Sequence, residues 1–299
     1  MDRLHLIGVF VAVADSGGLA GAARKLGLSP SAVTRAVNEL ESHLGVRLLT
    51  RTTRVVKLTE VGAQYVEDCR RILASLSEAD EAATGLHGEP RGRLTVTAPA
   101  LFGARYVTPI VTDYLQRYHQ ASATCWFVDR LVNITDEGID VAVRIGELPD
   151  SSMQAVRVGQ VRRVICAAPA YLAAQGEPRG ADDLAQHTLI AASAVTPMPE
   201  WQLLEAGLPR NVKVAPRLNL SSNEAARAAA LAGFGLTRLL SYQVADQLQA
   251  GSLVAVLEDL EPAPLPVHVV HREGRHASRK VRAFLDLCIE ALRASPALR

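Results

Sequence analysis

One arginine and three short polar side chains recur at helical spacing near the amino end, and their chemistry suits contact with a nucleic acid. These residues are Ser31, Thr34, Arg35 and Asn38. Side chains near a helix N-terminus can reach base edges in a major groove about 12 Å wide, where an arginine pairs with guanine O6 and N7. Backbone N–H groups at the helix start can also bind a phosphate. The alternative is a solvated helical face without a partner.

A run of cations follows this face. Arg47, Arg51, Arg54 and Lys57 lie within eleven residues, with no acid among them. The segment RTTRVVKLT is expected to form a hairpin in which Arg51 and Arg54 face phosphates or a minor groove. Residues 31–59 contain five cations and two acids, whereas the whole chain has 32 Lys and Arg against 31 Asp and Glu. This local excess of positive charge favours DNA binding over the solvated face.

The elements that would position these side chains are two helices joined by a tight turn. The sequence Gly27-Leu28-Ser29 interrupts a first helix, as a helix-turn-helix connection does. Ser29 is expected to cap the second helix, with Pro30 at its first position and Gly45 at its end. The predicted buried stripe of that helix consists of Val33, Val37, Leu40 and Leu44.

A long helix without proline is predicted next, and residues 60–90 read as a linker and hinge. Its apolar positions repeat at alternating spacings of four and three residues, which is the heptad pattern of a coiled coil. We expect this seam to join two copies of the chain, as a two-fold DNA site requires. An amphipathic helix packed on its own domain is the alternative. The expected seam residues are Tyr65, Cys69, Ile72, Leu76, Ala79 and Ala83.

The rest of the chain reads as an α/β domain. A length of 299 residues, 48% of them hydrophobic, predicts two compact domains. Beyond Arg93, short β-branched runs alternate with helical patterns, which predicts mostly parallel sheets. The four cysteines are scattered, which argues against a zinc ribbon or a disulfide scaffold and suits the cytoplasm. The apolar run at residues 6–14 is too short to span a bilayer, so no membrane partner is expected.

Two parts of the chain resemble a known family. The stretch AARKLGLSPSAVTRAVNELESHLGVRLLTRTTRVVKLTEVG resembles the winged helix-turn-helix of the LysR-type transcriptional regulators. Later segments, among them DEGIDVAVRIGEL and SSNEAARAAALAGFGLTRLL, resemble the effector-binding domain of that family. The resemblance implies an all-α winged helix-turn-helix DNA-binding domain at 1–59, a long linker helix, and an effector domain at 91–299. That domain would be a two-lobed α/β fold like the type 2 periplasmic binding proteins, with lobe I at 93–161 and 267–299 and lobe II at 162–266.

The resemblance also assigns roles to the polar face and the hairpin. It implies that Ser31, Thr34 and Arg35 enter the major groove and that Arg51 and Arg54 belong to the wing. Pro30-Ser31 stands where the family commonly has Gln-Pro, so the DNA sequence that is read does not transfer. The full set of expected DNA contacts is Ser29, Pro30, Ser31, Thr34, Arg35, Asn38, Arg51 and Arg54.

A small-molecule effector is expected between the lobes, beyond the carboxyl ends of the strands and near helix N-termini. Ala98-Pro99-Ala100 replaces the Ser or Thr of many family members, which weakens anion capture there. Arg144 either pairs with a carboxylate effector or is a structural cation paired with a neighbouring acid. Ser221-Ser222-Asn223 is either a helix cap or a ligand clamp. Asp129 lies in the same expected region. The expected effector contacts are Thr97, Ala98, Pro99, Phe102, Arg144, Gly146, Ser193, Ser221 and Asn223.

The predicted function is therefore an effector-responsive DNA-binding regulator that binds a pseudo-palindromic site as a homo-oligomer. No cofactor and no metal are expected, because His268 and His271, three apart on a strand, point to opposite faces. No enzyme activity is expected, because HExxH, GxSxG and P-loop patterns do not occur. The alternative function is a ligand-binding module whose N-terminal helices only oligomerise it.

Overall fold

The computed structural model describes residues 2–51, 56–84, 89–130, 132–134, 136–148, 153–192, 200–272 and 277–299. The chain divides into two compact units, Met1–Gly88 and Glu89–Arg299. Across the described ranges, no helix combines the length and the apolar character needed to cross a bilayer.

The first unit is a helical domain with a two-stranded hairpin. Its elements in chain order are α1 (Arg3–Asp15), α2 (Leu19–Leu26), α3 (Pro30–Leu44), β1 (Leu49–Arg51), β2 (Val56–Leu58) and α4 (Glu60–Thr84). Strands β1 and β2 pair antiparallel, with Arg51 opposite Val56. The hairpin predicted from RTTRVVKLT is therefore present, and we call it the wing.

The turn between α2 and α3 has the predicted chemistry. Gly27 ends α2 in the left-handed conformation at φ 66°, and Gly45 ends α3 at φ 69°. The Ser29 hydroxyl accepts a hydrogen bond from the backbone N–H of Ala32 at 3.2 Å, and Pro30 occupies the first turn. These observations confirm the predicted caps. The predicted stripe is also confirmed, because Val33, Val37 and Leu40 are completely buried and Leu44 packs against the same core.

Helix α4 packs on its own domain over its first turns, which corrects part of the predicted seam. Cys69 is 0% exposed and belongs to the core that α1 and α3 share. The Tyr65 ring lies 6.0 Å from the Phe10 ring of α1. The seam prediction is wrong for Cys69, because a fully buried side chain has no surface left for a second copy. Ile72 and Leu76, farther along α4, are 47% and 40% exposed. The side chains of Ala79 and Ala83 lie outside the described part.

The second unit contains two five-stranded sheets with helices around them. Its strands are β3 (Gly92–Ala98), β4 (Ala121–Phe127), β5 (Val141–Ile145), β6 (Gln154–Val161), β7 (Arg163–Ala167), β8 (Leu189–Ala192), β9 (Glu200–Glu205), β10 (Leu208–Lys213), β11 (Leu218–Leu220), β12 (Leu236–Leu240), β13 (Val254–Val256) and β14 (Leu265–His271). Its helices are α5 (Ala100–Phe102), which continues through a π-helical segment (Gly103–Val107) into α6 (Thr108–Arg117), and then α7 (Pro169–Gln175), α8 (Asn223–Leu231), α9 (Ser241–Gln249) and α10 (Arg279–Ala294). Short 3₁₀ turns are formed by Ala181–Gln186, Glu258–Leu260 and Pro296–Leu298.

The strand pairings are mixed, so the prediction of mostly parallel sheets is wrong in part. The first sheet has the order β4-β3-β5-β14-β6 and the second has the order β11-β8-β12-β7-β13. In each sheet one interior strand, β14 or β7, is antiparallel to both neighbours. The reason is topological: each is the first strand after the chain crosses between the sheets, so it starts at the end where the other strands finish. We call this the crossover end, where Arg162 and residues 261–264 connect the sheets.

The two sheets are joined by packing as well as by the chain. Tyr242, which follows β12 of the second sheet, is buried in the core of the first sheet. Its ring meets the Phe102 ring edge-on at 5.2 Å. Close by, Arg105 forms an ion pair with Asp246 of α9 at 2.6 Å. Helix α9 therefore connects the second sheet to the helix that begins at Ala100.

Candidate nucleic-acid interface and ligand cleft

The polar face of α3 is exposed as predicted. Ser31, Arg35 and Asn38 are exposed, and the Arg35 guanidinium forms no hydrogen bond or ion pair with the described residues. The Thr34 hydroxyl donates to the carbonyl oxygen of Pro30 at 2.8 Å. Its proton is therefore committed, and its oxygen remains an acceptor for an amino group on a base edge.

Ser29 and Pro30 shape the start of this face. The Ser29 oxygen already accepts from Ala32, and it lies 3.0 Å from the Ser31 hydroxyl oxygen. Both serines are exposed at the N-terminus of α3. The cap holds Ser31 beside the first turn, where backbone N–H groups without helical partners point outward.

The wing is fixed to α3 by Glu41, a residue that the sequence analysis did not single out. Its side chain is 5% exposed, and one oxygen, Oε1, accepts the backbone N–H groups of Leu48 and Leu49 at 2.8 and 2.9 Å. The other oxygen accepts from Arg47 at 3.2 Å. A carboxylate that accepts two amides sets the angle at which the chain leaves α3. The sequence signal that could have found it is the position of Glu41 directly after Leu40 of the predicted buried stripe. A carboxylate is almost never buried unless it has a partner.

The base of the wing is also tied to α4. The Thr59 hydroxyl donates to the carbonyl oxygen of Arg47 at 2.8 Å and accepts the backbone N–H of Gly62 at 2.9 Å. Thr59 thus caps α4 and closes the wing with one side chain. Gly62 allows this approach, because a Cβ there would lie 2.0 Å from the Leu48 carbonyl oxygen.

The described cations in and beside the wing are exposed to solvent. Lys57 is exposed, and the Arg47 side chain is 75% exposed although it contacts Glu41. Arg54 lies outside the described residues, as does the side chain of Arg51. Their expected phosphate contacts remain predictions.

In the second unit, three of the expected effector contacts are buried. Thr97, Ala98 and Phe102 are each 0% exposed. The Thr97 hydroxyl donates to the carbonyl oxygen of Trp126 at 2.7 Å, and Ala98 and Phe102 belong to the core of the first sheet. The prediction is wrong for these three residues, because a ligand cannot reach side chains that the core encloses.

The helix that begins at Ala100 already has a carboxylate at its N-terminus. Asp129 accepts the backbone N–H of Ala100 at 2.9 Å, and its own side chain is exposed. This carboxylate occupies the helix start, which agrees with the weak anion capture expected at Ala98-Pro99-Ala100. Pro99 is partly exposed beside it and stays a predicted contact.

Arg144 is held by the chain itself. Its Nη2 donates to the carbonyl oxygen of Val132 at 2.8 Å, and burial lowers the pKa of its guanidinium. The nearby Glu137 is already engaged with both terminal nitrogens of Arg130, at 2.9 and 2.8 Å. The structure favours a structural cation over a contact for a carboxylate effector, but the group that Arg144 contacts is a carbonyl and not the neighbouring acid of the prediction. Gly146, at φ 114°, follows on the same strand end and donates its N–H to the carbonyl oxygen of Pro266 at 2.9 Å.

The segment before α8 is a helix cap. The Ser222 hydroxyl accepts from the backbone N–H of Ala225 at 3.4 Å. The cap alternative is therefore confirmed for Ser222. Ser221 is exposed and Asn223 partly exposed at the same helix start, whereas Ser193 lies outside the described residues.

Two family models match the chain over most of its length. One, described as a bacterial regulatory helix-turn-helix protein of the lysR family, matches residues 4–63. The other, the LysR substrate binding domain, matches residues 87–293. The chain belongs to the LysR family. This confirms the resemblance read from the sequence, and the family fold of a helix-turn-helix followed by a two-lobed α/β domain is confirmed with it.

Individual LysR-family relatives match nearly end to end. The HTH-type transcriptional regulator CrgA of Neisseria meningitidis is 33% identical over 286 residues, covering 95% of each protein. The solved structure of CrgA has a TM-score of 0.62 at 31% identity and covers 96% of this chain and 98% of its own. The full-length virulence activator AphB of Vibrio cholerae has a TM-score of 0.59 at 27% identity, covering 96% and 99%. This LysR-family chain is accordingly a DNA-binding transcriptional regulator with a ligand-binding domain.

Proposed function

We propose that this chain regulates transcription in the bacterial cytoplasm by binding a pseudo-palindromic DNA site as a homo-oligomer, under the control of a small-molecule effector. The observation that carries the proposal is the exposed face of α3. There the Arg35 guanidinium has no partner among the described residues, beside acceptor and donor groups of Ser31, Thr34 and Asn38. A guanidinium without a described partner near the start of a helix is suited to a guanine edge.

The two-fold arrangement rests on the exposed part of α4. Ile72 and Leu76 are four positions apart, so they lie on one face of the helix and form a small apolar patch. A second copy that covers this patch would bring two α3 helices to two half-sites. Ala79 and Ala83, the other predicted seam residues on this part of α4, stay part of the proposal.

The effector part of the proposal rests on the crossover end. Parallel strands β3, β5, β8 and β12 all finish there, and open α/β sheets bind ligands at that edge. Pro99, Arg144, Gly146, Ser221 and Asn223 remain the proposed surroundings of the ligand.

The experiment that tests the DNA function is selection of bound fragments from a random duplex library, followed by gel shifts. We expect an inverted repeat to be recovered. Arg35→Ala should lose about 1–3 kcal/mol of discrimination at one base pair in each half-site. Lys25→Ala is the matched control, because it removes one charge of the same domain whose partner is Asp15 at 3.7 Å.

Two results would contradict the proposal in different ways. If Arg35→Ala bound every DNA sequence more weakly by the same factor, Arg35 would be a phosphate contact rather than a base contact. Failure of the wild-type protein to bind any duplex at low salt would favour the alternative function, a ligand-binding module that the N-terminal helices only oligomerise.

A further inference from the structure

Two arginines at the crossover end of the second sheet have no anionic partner among the residues that the structure describes. Arg163 opens β7 and pairs with Leu240 of β12, and Arg238 pairs with Ile165. Because side chains alternate along a strand, Arg163 and Ile165 share a face, and Arg238 lies diagonally across from Arg163 on that face. Both arginines are partly buried.

The contacts of these guanidiniums are main-chain carbonyls and one aromatic ring. Arg238 donates to the carbonyl oxygens of Glu200 and Gln202 at 3.2 and 3.4 Å, and its Cζ lies 5.3 Å from the centre of the buried Trp201 ring. Arg163 donates to the carbonyl oxygen of Ala263 at 3.5 Å. These hydrogen bonds are long, and neither arginine forms an ion pair with a described carboxylate.

Other arginines of the same unit behave in the opposite way. Arg105 and Arg210 form ion pairs with carboxylates, which raise the pKa of each guanidinium. Burial lowers the pKa of Arg163, and burial together with the charge of Arg163 lowers the pKa of Arg238 to about 10. Two like charges that are partly removed from water and left uncompensated are unfavourable, and an anion between them would offset that cost.

The position of the pair is suited to a ligand. Arg163 is the first residue after the chain enters the second sheet, and Ala263 lies on its return path. In the first sheet, the N-terminus of the helix at Ala100 is occupied by the Asp129 carboxylate. An anionic ligand is therefore repelled at one side of the cleft and attracted at the other.

We infer that Arg163 and Arg238 form a binding site for a small oxyanion, whose carboxylate or phosphate oxygens bridge the two guanidiniums. The planar fork of arginine matches both kinds of oxyanion, and two forks favour a doubly charged one. Trp201, whose ring lies against the Arg238 guanidinium, is placed to report a change at this site. The inference rests on the proposed function, since it assigns a ligand class to the same effector domain.

The test uses the full-length protein with Trp126→Phe, which leaves Trp201 as the single tryptophan of the chain. Sodium phosphate and sodium succinate are titrated separately, against sodium chloride at equal ionic strength, while Trp201 fluorescence and the melting temperature are followed. At least one of the two oxyanions should change Trp201 fluorescence saturably and raise the melting temperature above the chloride reference. The arm that responds distinguishes phosphate from carboxylate recognition.

Variants then assign the response to the two arginines. Arg163→Gln and Arg238→Gln should each lower the association constant for the oxyanion about tenfold or more. Arg163→Lys keeps the charge but loses the planar fork, so it should also lower this constant. Without oxyanion, Arg163→Gln should melt no lower than the parent, because it removes one of two repelling charges. Arg210→Gln is the matched control, since this arginine already contacts Asp182 and Glu205, and its response should equal that of the parent.

Two outcomes would overturn the inference. One is that neither oxyanion exceeds chloride with the parent protein. The other is that all the arginine variants respond as the parent does. Gel shifts on the selected duplex run in parallel: DNA binding without an oxyanion response removes this site alone, whereas loss of all duplex binding by the parent removes the proposed function.

Discussion

Replacing Glu41 tests how the wing is held against the DNA-reading helix. In Glu41→Ala, the backbone N–H groups of Leu48 and Leu49 lose their acceptor while both residues stay buried. An unsatisfied buried donor costs about 1–3 kcal/mol, and hydrogen bonds to a charged group contribute about 1.5–3 kcal/mol each. We therefore expect a loss of about 3–5 kcal/mol, which lowers the melting temperature of a small domain by about 12 °C or more.

Two matched variants separate the amide bonds from the ion pair. Glu41→Gln keeps an oxygen in the same place and should cost about 1 kcal/mol. Arg47→Ala removes an exposed partner of Glu41 and leaves both amide bonds, so it should cost less than about 1 kcal/mol. Both tryptophans belong to the second unit. Tryptophan fluorescence thus follows that unit alone, while calorimetry and hydrogen exchange of residues 30–60 follow the first. If Glu41→Ala melted within 2 °C (roughly 0.5 kcal/mol) of wild type, the assigned role of Glu41 would be refuted.

Three further predictions concern the linker helix and the crossover end. Gly62→Ala would ordinarily stabilise a helix, but here the added methyl group meets the Leu48 carbonyl oxygen. We therefore expect the free energy of unfolding, measured by calorimetry, to fall by about 1–3 kcal/mol. A rise in that free energy would contradict the close approach. Ile72→Glu combined with Leu76→Glu should shift the protein toward monomer in sedimentation at micromolar concentration, whereas Arg71→Glu on the same helix should not. Burial raises the pKa of Glu261 more than Arg162 lowers it, so the folded chain binds this proton more tightly than the unfolded chain does. At pH 7.5, Glu261→Gln should thus be at least as stable as wild type. As the pH falls through the acid range, the melting temperature of wild type should rise relative to that of Glu261→Gln. A difference in melting temperature that does not change with pH would contradict this.

Local signals allowed the first unit to be predicted closely. Ser29, Pro30 and Gly45 act on backbone groups within a few residues, so their roles can be predicted from the local sequence alone. The stripe of Val33, Val37 and Leu40 follows from helical periodicity in the same way. Arg35 could be predicted as an exposed cation because it lies opposite the predicted buried stripe of the same helix.

Residues whose partners lie far along the chain could not be predicted. Cys69 fits a heptad as well as it fits a domain core, and only the position of α1 decides between them. Thr97 reads as a polar group at a strand end, but its hydroxyl is satisfied by a carbonyl of β4, 29 residues away. The same limit applies to Arg163 and Arg238, which are 75 positions apart and meet only through the β7–β12 ladder.

The packing between the sheets limits how an effector can act. Phe102 and Tyr242 are buried against each other, and Arg105 pairs with Asp246 across the same contact. Exposing two aromatic side chains would cost roughly 3–6 kcal/mol, which leaves a fully parted state populated at less than about 1%. A ligand shifts an equilibrium only by its difference in affinity for the two states. An effector that binds at the crossover end therefore reaches a regulatory state more readily by a small rotation about the contact between Phe102 and Tyr242 than by wide opening, because a rotation keeps both rings buried.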